Sequence, residues 1–160
     1  MKKLNCAVIG CGRIGCGFDD NHSSIIKTHA GSYFKNPQTN LVALCDIDKK
    51  KLNKYGKKYN ISKIYTDTSE LFKNENLDCV SICTLVSTHL KIVKEAANSG
   101  VKGIFLEKPI SNSMNDAKKI IEICKKKKIS LQIDHQRRFH PIYLKIKKIL
   151  DEKKIGEIQF

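Results

Sequence analysis

The sequence predicts an α/β protein built on a doubly wound parallel sheet, and three observations carry that prediction. Short apolar runs alternate with stretches of helical period along the chain, the pattern of strand, helix and strand that assembles a parallel sheet. The first run, Asn5 to Ile9, leads straight into glycines at 10, 12 and 15. That spacing permits a tight turn, lets backbone approach a pyrophosphate and brings the next helix close to the sheet. The second run ends in Cys45-Asp46-Ile47-Asp48, which sets a carboxylate at a strand end, where such a fold meets a ribose. A chain of 160 residues with 41% hydrophobic content is one domain in size and can bury one core.

The elements follow in order. Asn5 to Ile9 is the first strand, and Gly10, Gly12 and Gly15 form the turn after it. Asp46 lies 31 residues beyond Gly15, against the ~20 of a minimal fingerprint. The polar segment from Cys16 to Thr28 accounts for the excess as a loop before the first crossover helix. Leu41 to Cys45, Cys79 to Cys83, Gly103 to Leu106 and Ser130 to Asp134 read as strands, with a shorter one at Ile64 and Tyr65. Asp48 caps a helix to about Tyr59, Asp67 with Glu70 opens the next, and Gly100 ends the helix that begins near Thr88. Between Ser113 and Lys127, Ala117, Ile120, Ile121 and Cys124 form one apolar stripe, with Lys125 to Lys128 as its solvated, dipole-matched end. Pro141 suits the first turn of a last helix whose buried stripe is Ile142, Ile146, Ile149 and Leu150. This gives a dinucleotide-binding domain over 1–155. Glu157 to Phe160 reads as the start of a strand, so that 156–160 would open a truncated α/β substrate domain.

The net charge of +14 comes almost wholly from lysine, since Arg13, Arg137 and Arg138 are the only arginines. Base-reading sites favour the planar fork of arginine, and no row of stacking aromatics is present, so nucleic acid is not an expected partner. A general attraction to phosphorylated cofactors and substrates remains, screened by salt. The seven cysteines show no paired CxxC knuckles. They read as reduced core residues in a reducing compartment, with no metal site, and Cys11 and Cys16 as the two most accessible. No apolar stretch approaches the ~20 residues of a membrane span, and the apolar run after Met1-Lys2-Lys3 stops at the glycine turn, unlike a secretory leader. A cytoplasmic location is expected.

Five motifs occur in order: Gly10 to Gly15, Cys45-Asp46, Thr84 to His89, Glu107-Lys108-Pro109 and Arg137-Arg138-Phe139-His140-Pro141. Together, over essentially the whole chain, they resemble the Gfo/Idh/MocA family of glucose-fructose oxidoreductase and inositol dehydrogenase type, with Glu-Lys-Pro the most specific element. The resemblance implies a Rossmann-type fold and an NAD-dependent oxidoreductase acting on a secondary alcohol or ketone of a sugar, polyol or sugar derivative. It assigns Lys108 the catalytic place facing the nicotinamide and the reacting carbon, where an ammonium can stabilise charge on the carbinol oxygen. Cofactor contacts fall to Gly10, Gly12, Arg13, Ile14, Gly15, Asp46, Thr84, Leu85, His89, Glu107, Lys108 and Arg138. Leu85 departs from the proline common at its place. Asp46 can accept both ribose hydroxyls while repelling a 2'-phosphate, so NAD is favoured over NADP.

Each assignment has a plainer alternative: Asp46 as a helix cap, His89 as a packed histidine, Arg137 and Arg138 as surface charges, Glu107 and Lys108 as a surface ion pair. In the resembled family a second domain supplies most substrate contacts and much of the oligomer interface, and none of that sequence is present. Little turnover by this chain alone is therefore expected, and homo-oligomers only with the complete second domain. A non-catalytic NAD(H)-binding sensor or interaction module is the alternative reading.

Overall fold

The computed structural model describes residues 2–19, 25–157 and 159. Strands β1 (Leu4–Ile9), β2 (Thr39–Cys45), β3 (Ile64–Tyr65), β4 (Cys79–Ile82), β5 (Gly103–Leu106) and β6 (Ser130–Ile133) pair in parallel in the order β3-β2-β1-β4-β5-β6. Helices α1 (His29–Lys35), α2 (Lys49–Tyr59), α3 (Thr68–Asn74), α4 (His89–Ser99), α5 (Met114–Lys126) and α6 (Pro141–Asp151) alternate with them. The strand order reverses between β1 and β4, and crossovers leave in opposite directions there, which opens a crevice above the carboxyl ends of these two strands.

Burial on both faces explains the nearly unbroken apolar run of β1. Ala7 and Ile9 belong to a core shared with α3, α4 and α5, while Val8 belongs to a second core with α1 and α2. Against β2 the register slips between Cys6, opposite Leu41, and Ala7, opposite Ala43, so Val42 is an inserted residue. Side-chain caps fix the helix starts as the sequence predicts. Asp48 accepts from Lys50 N at 2.9 Å and Lys51 N at 3.3 Å, Asp67 accepts from Ser69 N at 2.8 Å and Glu70 N at 3.2 Å, and Ser113 accepts from Asp116 N at 3.1 Å. Gly100 ends α4 in the left-handed region with φ +92.

Several expectations need correction. In α5, Ile121 is half exposed while Ile123 packs against the core, because the sheet lies along the Ala117, Ile120, Cys124 line and Ile121 points off it. The predicted stripe of α6 is only partly covered: Ile142 is 62% and Ile146 47% exposed, Ile149 and Leu150 are half-buried, and α6 contributes no buried residue. Periodicity made this helix amphipathic, but among the described residues only the end of its apolar face is partly covered. Cys11 and Cys16 are fully buried, packed behind the glycine turn with Val8, Ala30 and Leu44. Within the segment 16–28, Cys16 and Gly17 end a π-helical turn that starts at Arg13, and residues 20–24 lie outside the described ones. Glu157 is in no strand, and Ile158 and Phe160 of the predicted last strand lie outside the described residues. No helix of the described residues is long and apolar enough to cross a membrane.

Candidate functional site

The glycine turn is built by close approaches that leave no room for a side chain. Gly10 has φ +93, and a Cβ there would lie 2.5 Å from the Cys83 carbonyl oxygen. A Cβ on Gly15 would lie 1.9 Å from the Gly10 carbonyl oxygen. Gly12 differs, for a Cβ there would meet nothing within 4 Å. Its bare backbone faces open space. Carbonyl oxygens of Gly12 and Arg13 are taken up inside the turn by Cys16 N, Gly17 N and Phe18 N at 2.8–3.0 Å. The Arg13 guanidinium lies over the Phe18 ring, 4.6 Å from its centroid, and Ile14 is half-buried.

Asp46 sits opposite this turn. Its Oδ2 accepts from Cys11 N at 2.6 Å and its Oδ1 from Asp48 N at 2.8 Å. It is thus tied to the turn, while capping of α2 belongs to Asp48. Each carboxylate oxygen keeps further acceptor capacity on the side of the crevice. A cleft of about 540 Å³ lies there, lined by Gly10, Gly12, Asp46, Thr84 and Leu85 among the predicted residues. Lys51, Lys91 and Asp67 also border it, and the two lysines pair with Asp48 and Glu95.

Thr84 and Leu85 follow β4. Thr84 Oγ1 hydrogen-bonds Thr88 Oγ1 at 2.7 Å, and Leu85 stands 78% exposed at the cleft. His89 is fully buried, with Nδ1 at 3.2 Å from the Ile110 carbonyl and Nε2 at 3.3 Å from the Thr84 carbonyl. It does not line the cleft; it joins the loop after β4 to the loop after β5.

Glu107 and Lys108 part company. Glu107 is buried and Lys108 exposed, joined through Lys108 N donating to Glu107 Oε2 at 3.1 Å. The Lys108 ammonium makes no ion pair among the described residues, so the surface-pair alternative does not hold. The Lys108–Pro109 peptide is cis. Lys108, Arg138, Arg13, Ile14 and Gly15 are not among the residues bounding the cleft. Arg138 is exposed in the turn Gln136–Phe139.

The partner of Glu107 is a residue that sequence reasoning passed over. His29, at the start of α1, is buried, with Nε2 at 3.3 Å from Glu107 Oε1 and 3.5 Å from Asp134 Oδ2. Its Nδ1 lies 2.9 Å from Ser81 Oγ, which in turn donates to the Tyr33 hydroxyl at 2.9 Å. With Ser81 donating to Tyr33, its oxygen can accept from Nδ1, and the two carboxylates can accept from Nε2, an arrangement that favours the imidazolium. Burial alone would lower its pKa, but hydrogen bonds with Asp134, Cys83 and Glu107 outweigh burial and raise it to about 11. The same contact with His29 holds the Asp134 carboxyl below its usual range. Three side chains of these types within 4.8 Å are also a donor set that could take a divalent cation, a possibility the cysteine count gave no hint of. The only sequence signal for His29 was a histidine directly after a capping threonine, Thr28, whose Oγ1 accepts from Gly31 N.

Residues 4–135 match the family model of an oxidoreductase family, NAD-binding Rossmann fold, of the Gfo/Idh/MocA group. A D-apiose dehydrogenase of Rhizobium rhizogenes is 32% identical over 98% of this chain and 42% of its own length. The scyllo-inositol 2-dehydrogenase (NAD(+)) of Bacillus subtilis is 31% identical over 97% of this chain and 42% of its own. Among solved structures, myo-inositol 2-dehydrogenase from Lactobacillus plantarum superimposes with a TM-score of 0.85 at 28% identity, covering 98% of this chain and 43% of that one. The chain therefore spans less than half the length of the relatives it matches.

Proposed function

Since the chain belongs to the Gfo/Idh/MocA oxidoreductase family through its NAD-binding Rossmann domain, we propose that it is the cofactor-binding part of an NAD-dependent oxidoreductase acting on a secondary alcohol or ketone of a sugar, polyol or sugar derivative. One observation carries this reading: the crevice at the strand-order reversal is floored by side-chain-free Gly10 and Gly12 and edged by the Asp46 carboxylate. Gly12 would hold the pyrophosphate, with Arg13, Ile14 and Gly15 shaping the turn, and Asp46 would accept from the adenosine ribose. Thr84 and Leu85 shape the far wall, and His89 supports it from behind through the Thr84 carbonyl. Lys108, exposed beyond β5 with its ammonium uncommitted, is the catalytic group, and Glu107 and Arg138 frame the nicotinamide end. When bound, the cofactor would supply or accept the hydride. Lys108 would hydrogen-bond the carbinol oxygen and steady the charge on it as the hydride moves, giving that oxygen a proton in reduction and taking one from it in oxidation.

The dinucleotide-binding domain comprises residues 1–155, and 156–160 lead toward a substrate domain that gives the second wall and the oligomer interface. On its own the 160-residue chain binds cofactor with little turnover, since an unplaced substrate forfeits the several kcal/mol that positioning supplies.

Calorimetry with NADH and NADPH tests the cofactor assignment. NADH is expected to bind more tightly, and Asp46→Ala to narrow the difference; equal or tighter NADPH binding by the unaltered chain refutes the ribose role. Asp46→Ala also removes the acceptor for Cys11 N and Asp48 N, so its stability is expected to fall by about 1–3 kcal/mol. Lys108 is tested by joining this chain to the substrate domain of an inositol dehydrogenase. There Lys108→Ala should lower turnover on the order of 10²-fold or more with cofactor affinity nearly intact. Unchanged turnover removes Lys108 from the chemistry.

A further inference from the structure

The cluster around His29 is built from three separate parts of the chain. His29 opens α1, Glu107 follows β5 and Asp134 follows β6, with Ser81 on β4 beneath them. The Phe105 ring closes one side of the imidazole at 4.8 Å between centroids. Ionisable groups facing the ring are Glu107, Asp134, the half-buried Cys83 thiol and, through Ser81, Tyr33. A buried charge assembly of this kind costs desolvation and contributes specificity of geometry more than stability. Its geometry leads to one place. Glu107 uses one oxygen for His29 and the other for the backbone N–H of Lys108.

We propose that His29 is a positioning residue for Lys108: its ring, bridging Glu107 and Asp134, locks the Glu107 carboxylate, and that carboxylate anchors the main chain from which the Lys108 side chain projects. The inference rests on the reading that Lys108 is the catalytic lysine. The anchor itself is a property of this chain and is measured without turnover. Charge and hydrogen bonding both matter to it. A neutral His29 would lose one of its two donors, and with it the hold on Ser81 or on the two carboxylates.

The test is nuclear magnetic resonance on the 160-residue chain labelled with ¹⁵N. Both His29 ring nitrogens are expected to be protonated at pH 8. His29→Leu should speed hydrogen exchange at the Lys108 amide on the order of tenfold or more, with the amides of β1 unchanged, and His29→Gln should restore part of that protection. Should His29→Leu fail to fold, His29→Gln decides by the same exchange measurement against the unaltered chain. Lys108 amide exchange left unchanged by these substitutions overturns the proposal. So does a ring whose Nε2 carries no proton at pH 8 and whose resonance shifts on adding zinc or magnesium, which would make the cluster a cation site. If Lys108 amide exchange responds to the His29 substitutions while Lys108→Ala leaves turnover intact in the joined enzyme, the anchor stands and the catalytic reading falls.

Discussion

His29 ties the pH dependence of stability to the carboxylates that frame Lys108. Its ordinary pKa of 6.5 is raised to about 11 in the folded chain. The folded state therefore holds the proton more tightly than the unfolded one. The stabilisation is complete below about pH 6.5 and is lost as pH climbs towards 11. Asp134 acts at the other end, because its carboxyl is held below the ordinary 3.8: its contribution is present above that value and lost as pH falls through the lowered one. Melting temperature is expected to peak between these limits and to decline from pH 7 to pH 9, before the tyrosines titrate. His29→Gln should flatten that decline. A melting temperature that stays level over this range in the unaltered chain, or an equal slope in the variant, refutes the assignment. At this scale the glycine turn, Asp46 and Glu-Lys-Pro were legible, since each is written in contiguous residues. His29 was not. Its partners lie 78 residues away at Glu107 and farther at Asp134, and no local pattern announces contacts made only by the closing of the sheet.

Helices α5 and α6 read alike in sequence and differ in what the fold does with them. Both carry an apolar stripe at helical spacing, and both have a proper start, Ser113 for α5 and Pro141 with the His140 cap for α6. Ile120 in α5, a helix that packs on α4 and β6, is fully buried in the core, whereas Ile142 and Ile146 in α6 face outward. Ile120→Ala is expected to cost about 2–5 kcal/mol, since transfer and cavity contributions add. The pair Ile142→Lys and Ile146→Lys should change stability by no more than about 0.5 kcal/mol, because no burial is lost. Urea unfolding of the two variants measures both; a large loss from the α6 pair would mean that its face is covered in solution. Periodicity specifies that a face is apolar. It does not specify the surface that face meets, which is why the strands, caps and α1 to α5 could be read while the setting of α6 could not.

Across the whole molecule the seven cysteines record how the two cores are closed. Cys6, Cys11, Cys16, Cys45 and Cys124 are buried, and Cys79 and Cys83 are partly so. Burial pushes the Cys45 thiol up to about 12 and also raises Cys83 and Cys124. A hydrogen bond with Cys16, followed by burial, raises Cys11. Cys79 alone is lowered, to about 7, by its hydrogen bond with Cys6 across the β1–β4 pair. Since the thiolate is the reacting form, a small alkylating reagent at pH 8 should take Cys79 first, seen by mass spectrometry of peptides. Rapid labelling of Cys11 in the folded chain would contradict the burial described for it. The five buried thiols then serve as clocks. Each can react only during the moments when its part of the molecule opens, so its labelling rate reports a local opening equilibrium. Cys11 and Cys16 stand directly behind the glycine turn, and a dinucleotide seated on that turn should slow both clocks while leaving the one on α5, Cys124, running at its former rate.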